Sequence, residues 1–156
     1  MMDNLEPLQE HLKKPLRNDE HAITRNIIIK ASLDDMKTQI QSLPALIPLL
    51  PTCFLNSLTV SEQTRAYRYI LFCWAVSNQS QCPKEMQLRA ALSLWQGKDV
   101  FVQAGTGEGK TLAAVLNQLL DDSNGLTLIL SPLKRLQSTQ VCLIYSRLQY
   151  LIHSLR

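Results

Sequence analysis

The chain has 156 residues, room for one domain of ordinary size with an appendage, since domains commonly run to about 100–150 residues. Its 16 lysines and arginines against 13 acidic residues leave a net charge of +3, which suits a phosphate or nucleic-acid partner without demanding one. Cys53, Cys73, Cys82 and Cys142 contain no CxxC pair, and His11, His21 and His153 fall at no zinc-ligand spacing to them. A disulfide framework or zinc module is thereby disfavoured, and an intracellular location, nucleus or cytoplasm, is expected.

The opening, MMDNLEPLQEHLKKPLRNDEH, carries acids throughout and no apolar run of a secretory leader. Residues 1–23 bury too little apolar surface to offset the entropy of ordering, so a disordered tail is expected there. From Thr24 onward Ile29, Leu33, Met36, Ile40 and Leu43 recur at steps of four and three, which predicts one amphipathic helix ended by Pro44. Pro44, Pro48 and Pro51 remove backbone donors and make LPALIPLLP an apolar connector. Ser61 is the expected cap of the next helix, with Glu62 against the positive end of its dipole. Ala66 through Val76 is apolar almost all round, so that helix must be buried. Its aromatic stripe, Tyr67, Tyr69, Phe72 and Trp74, reads first as core and second as a docking face. Neither LPALIPLLPTCFL nor YILFCWAV reaches the roughly 20 apolar residues a membrane span needs.

SNQSQCP, residues 77–83, is the expected boundary between a helical region, 24–80, and a second region, 81–156. In this second region the pattern predicts a helix from Lys84 to Gln96, a stop at Gly97, a strand from Asp99 to Ala104 and a helix from about Gly109 to Leu120. A turn over Asp121 to Gly125, a strand from Leu126 to Leu130 and a helix from Pro132 complete it. Strands alternating with helices imply an α/β parallel sheet with helices on its faces. With only two strands its edges would be unpaired, so self-association or docking of a protein partner is expected.

Between the apolar VFV and LAAVL lies Ala104-Gly105-Thr106-Gly107-Glu108-Gly109-Lys110-Thr111. A triphosphate is a dense cluster of negative oxygens, held by backbone N–H groups and a helix N-terminus aimed at it, and glycines let the backbone approach. In a phosphate loop of this kind Lys110 would reach the β- and γ-phosphates and the Thr111 hydroxyl would ligate Mg2+. Each charge-assisted bond contributes roughly 1.5–3 kcal/mol. Glu108 is an unusual neighbour for phosphates, at a variable position of the loop.

The order A-x-T-G-x-G-K-T, opening on Ala104 where the general pattern has glycine, resembles motif I of superfamily-two helicases. Gln87 stands at the distance from Lys110 that this family uses for its adenine-reading glutamine, and Gly97-Lys98-Asp99 looks like the family's G-[KR]-D signature. Ser131-Pro132-Leu133-Lys134-Arg135-Leu136, with Ile129-Leu130 before it and Gln140-Val141 after it, is similar to motif Ia of the RecQ-like branch, whereas the DEAD-box branch would show P-T-R-E-L. Pro83 and Lys84 stand where that branch has an aromatic residue and an arginine. The resemblance implies a RecA-like lobe that binds ATP with Mg2+ through Gln87 and Ala104–Thr111, and DNA through Ser131–Arg135. Physics agrees with an anion at the latter segment: Ser131 can cap a helix with Pro132 in its first turn, where Lys134 and Arg135 oppose the dipole unless a phosphate relieves them.

The resemblance covers about Lys84 to Val141. No D-E-x-[DH] sequence is present, and Asp34-Asp35 and Asp121-Asp122 are poorly placed to replace it. After Val141, Leu143, Ile144, Leu148, Leu151 and Leu155 line one side of a predicted helix, with Ser146, Gln149 and His153 opposite. The expectation is an incomplete lobe that binds ATP and nucleic acid without hydrolysis or unwinding. Two alternatives stay open: a non-catalytic interaction protein derived from a helicase, and a small phosphate-loop phosphotransferase.

Overall fold

The computed structural model describes residues 9, 12, 13, 20–105 and 107–120. Six α-helices are formed within this part: α1 (Glu20–Lys30), α2 (Leu33–Gln41), α3 (Thr52–Asn56), α4 (Val60–Val76), α5 (Glu85–Trp95) and α6 (Lys110–Leu120).

Local capping decides where they begin. The single helix expected from Thr24 to Leu43 is two, because Ser32 interrupts it with a reciprocal cap: Asp35 N donates to Ser32 Oγ at 3.2 Å and Ser32 N to Asp35 Oδ2 at 3.3 Å. Asp34 and Asp35 therefore sit in a first turn, not mid-helix, and Asp35 has a structural task. The same device opens α4, where the cap is Thr59 and not Ser61. Thr59 N donates to Glu62 Oε2 at 2.9 Å and Glu62 N to Thr59 Oγ1 at 3.4 Å. The proline-rich connector folds into a 3-10 turn, Ile47–Leu49, and the short α3.

α4 packs against α1, α2, α3, α5 and α6. Ala66 and all of Tyr69 through Ala75 are buried, which is how a helix apolar on every side satisfies itself in water. The aromatic stripe is thus core: Tyr69, Phe72 and Trp74 are buried and Tyr67 is half-buried under the Lys37 ammonium. Leu12, Ile28, Met36, Leu46, Leu88 and Leu116 share that core. Of residues 1–23, expected to form a disordered tail, most lie outside the described residues, while Leu12 is buried and α1 begins at Glu20.

The expected parallel sheet is not found: among the described residues there is no strand. Residues 99–104 run without regular structure, and Phe101 is 92% exposed. A strand exists only by pairing its backbone with a neighbour, and nothing described pairs with Val100-Phe101-Val102. The second predicted strand, Leu126–Leu130, and the predicted helices after it lie outside the described residues. The basis for self-association through sheet edges is therefore absent from this part, which is helical. No described helix is long and apolar enough to cross a membrane.

One polar chain runs through the packed helices. Arg65 Nε donates to the Tyr69 hydroxyl at 2.8 Å, that hydroxyl donates to Asn117 Oδ1, and Asn117 Nδ2 donates to Ala91 O at 2.9 Å. It joins α4, α6 and α5 where an unpaired polar atom would be costly. Because α6 contributes the fully buried Leu116 to the common core, Leu116→Ala should destabilise the protein by about 2–5 kcal/mol. Urea unfolding followed by circular dichroism measures this; a loss under about 1 kcal/mol would show that α6 does not share the core.

Candidate nucleotide site

The N-termini of α5 and α6 meet at the site, and the chain runs to it from the other end of α5. The C-terminus of α5 is closed by Gly97 at φ +75°, with Lys98 N donating to Ser93 O at 3.0 Å and Gly97 N to Leu94 O at 2.9 Å. This pair of bonds is a Schellman stop. Gly97 and Lys98 of the G-K-D signature thus have a local reason: glycine takes the left-handed position and the chain leaves the helix toward Asp99.

Five residues further on, at Ala104, the chain enters the glycine-rich turn. Gly107 (φ +85°) and Gly109 (φ +75°) take backbone conformations open to glycine and strained for other residues. α6 starts at Lys110, so its N-terminus faces the turn. The Lys110 ammonium folds back and donates to Ala104 O and Gly105 O, at 2.7 Å each. It is exposed and sits across the turn on carbonyl dipoles, weaker acceptors than phosphate oxygens. Thr111 comes next in the first turn of α6, half-buried. Thr106 lies outside the described residues.

From the other side α5 presents Lys84 and Gln87. The Gln87 side chain is only 4% exposed. Its Oε1 accepts from Lys84 N at 2.8 Å, and its Nε2 donates to Glu108 O at 3.2 Å and Gly109 O at 3.0 Å. The Lys84 ammonium meets Glu108 Oε2 at 2.7 Å across the mouth of the site. Lys84, a departure from the family pattern, and Glu108, an unusual loop residue, thus form an ion pair. The pairing is hidden in the sequence because the two are 24 positions apart and neither spacing nor periodicity relates them. Beside these residues lies a cavity of about 450 Å³, lined also by Leu49, Cys82 and Leu112.

Ser131, Pro132, Leu133, Lys134 and Arg135 lie outside the described residues, as do Asp121 and Asp122. Among the described residues no three His, Cys, Asp or Glu side chains gather as metal ligands. The turn does fit a magnesium nucleotide in its chemistry: a hydroxyl follows a lysine at a helix N-terminus, and Mg2+ characteristically takes few protein ligands and several from phosphate and water.

The hydrogen bond and charge of Lys84 hold the Glu108 carboxyl below its ordinary value of 4.5. Folded Glu108 therefore stays charged to lower pH than in the unfolded chain. The pair's contribution is present above 4.5 and is lost as pH falls through the lower folded value. NMR titration should place the Glu108 midpoint below 4.5, and Lys84→Ala should move it back toward 4.5; an unmoved midpoint would contradict the pairing. Burial, and secondarily Cys73, push the Cys82 thiol up to about 12. At pH 8 Cys82 should accordingly react with iodoacetamide about 100-fold more slowly than free cysteine, thiolate scarcity being partly offset by higher nucleophilicity. Peptide mapping would reveal it, and alkylation at the rate of free cysteine would show that the thiol is not shielded.

Comparison with protein families finds a match over residues 84–154, a little under half of the chain, to the family DEAD/DEAH box helicase. No curated protein and no solved structure gives a significant match. The match begins at Lys84, takes in Gln87, the glycine-rich turn and α6, and continues beyond the described residues. Residues 84–154 are thus similar to the ATP-binding part of helicases of the superfamily-two type.

Proposed function

We propose that residues 84–154 are the nucleotide-binding front of a RecQ-like DNA helicase lobe, and that Ala104–Thr111 form a phosphate loop taking the triphosphate of ATP with Mg2+. Thr111 is the protein ligand of the metal, and Ser131–Arg135 bind the DNA backbone. The observation that carries the reading is the Lys110 ammonium, lodged on Ala104 O and Gly105 O at the N-terminus of α6. A triphosphate entering the turn offers that ammonium charged oxygens in exchange for neutral carbonyls, and offers the helix N-terminus the negative charge it favours. The family match supports the helicase type, and the S-P-L-K-R-L sequence favours the RecQ-like branch.

These 156 residues contain no D-E-x-[DH] sequence to position Mg2+ and the attacking water, so by themselves they bind ATP without hydrolysing it or unwinding a duplex. Titration with a fluorescent ATP analogue should show binding that Lys110→Ala weakens by about 10- to 150-fold, the equivalent of one charge-assisted bond. Equal binding by the two proteins would remove the basis of this reading.

A further inference from the structure

The polar groups of the nucleotide site come from α5, the glycine-rich turn and α6, but part of the cavity beside them is built by a different stretch of chain. The apolar lining of this cavity of about 450 Å³ is Leu112 of α6, Cys82 of the loop before α5 and Leu49 of the proline-rich connector. Leu112 and Cys82 also pack against the common core. Leu49 is 50% exposed. A single exposed leucine is ordinary in a soluble protein; the place where this one is held is not.

The connector fixes it there. Leu46 is fully buried and Leu50 packs on the core, so the 3-10 turn Ile47–Leu49 is anchored on both sides. Leu49 N donates to Leu46 O at 3.0 Å and Leu50 N to Ile47 O at 3.2 Å, while the rings of Pro48 and Pro51 restrict the backbone around Leu49. Its side chain therefore stands in the lining of the cavity before any ligand arrives, together with Gln87, Gly107 and Gly109.

A nucleoside triphosphate has two unlike ends. Its phosphates call for cations and N–H donors, which Lys110 and the start of α6 supply. Its base is a flat ring that calls for apolar cover on its faces and a few polar groups at its edge. The cavity offers that division: Leu49, Cys82 and Leu112 are cover, and Lys84, Gln87 and Glu108 are the polar groups. Leu112 joins the two ends, because it follows Lys110 by two residues in the first turn of α6. A nucleotide whose base rests against it has the turn within reach of its phosphates.

We propose that Leu49 is a nucleotide-binding residue that covers one face of the base, so that the connector completes a site whose family match begins only at residue 84. This rests on the nucleotide-binding reading above, and it leaves the edge of the base to the polar groups at the start of α5.

Competition of ATP and inorganic triphosphate against a fluorescent ATP analogue, with Mg2+, tests this on the full chain, on Leu49→Ala and on Ile47→Ala. Ile47 is the control: it lies on the same turn, is 44% exposed and is not among the described residues lining the cavity. Leu49→Ala should weaken ATP about tenfold, the loss of apolar contact from the removed side-chain carbons, and leave inorganic triphosphate unchanged. Ile47→Ala should change neither. An unchanged ATP affinity in Leu49→Ala overturns the proposal, as does an equal loss of ATP and inorganic triphosphate, which would make Leu49 a support of the turn. A loss of ATP in Ile47→Ala as large as in Leu49→Ala overturns it too. On the unsubstituted protein the Leu49 methyl resonances should shift with ATP, under the ring current of the base, and stay in place with inorganic triphosphate. That measurement decides alone if Leu49→Ala does not fold by circular dichroism, and methyls that answer both ligands equally, or neither, overturn the proposal. Failure of ATP to bind at all, or undiminished binding by Lys110→Ala, is a separate result that removes the nucleotide site and this proposal with it; binding that depends on Lys110 and is indifferent to Leu49 removes this proposal alone.

Discussion

A helix that is apolar on all sides has to be surrounded, and that requirement on α4 organises the described part of the molecule. Seven consecutive buried residues, Tyr69 to Ala75, leave no side for water. Each other helix covers part of it. The covering helices are short, 5 to 11 residues, and would be marginal alone. They are held by what they bury against α4, α2 also by its cap at Ser32, and α5 by the cation of Arg65 over Trp95 and its own Arg89 over Phe54 of α3.

The nucleotide site inherits its geometry from this arrangement. α5 and α6 lie side by side against α4, which brings the start of α5, with Lys84 and Gln87, to the start of α6, with Gly109 and Lys110. Their joint contact with the turn is a consequence of helix packing: the two N-termini come together because the two bodies pack together. Asn117 shows the coupling at one residue, accepting from Tyr69 of α4 and donating to Ala91 of α5.

How much of this was legible in the sequence depends on the range of the interaction concerned. The burial of α4 could be read from composition alone, as could α5 and α6 to within a residue or so and the Gly97 stop. The break at Ser32 was missed because the apolar steps from Ile29 to Leu43 continue through it; periodicity does not register a side chain that bonds the backbone three residues on. The cap of α4 was placed two residues late for the opposite reason, a nearer serine competing with Thr59. The strand at 99–104 failed because strand propensity in VFV describes a preference that only a partner can realise. In the site, the glycine-rich turn was evident from its residues, whereas the use of Gln87 and the Lys84–Glu108 pair depends on helices brought together by α4. Nothing local in the sequence encodes it.

The Tyr69–Asn117–Ala91 chain also separates two meanings of a domain. Similarity to a helicase family starts at Lys84, yet Tyr69 lies fifteen residues before that point and bonds to the helix behind the phosphate turn. The edge of the match falls inside a continuous core. Residues before the match thus carry part of the support of residues within it: a change at Tyr69 of α4 removes a partner from Asn117, on the helix that begins at the turn.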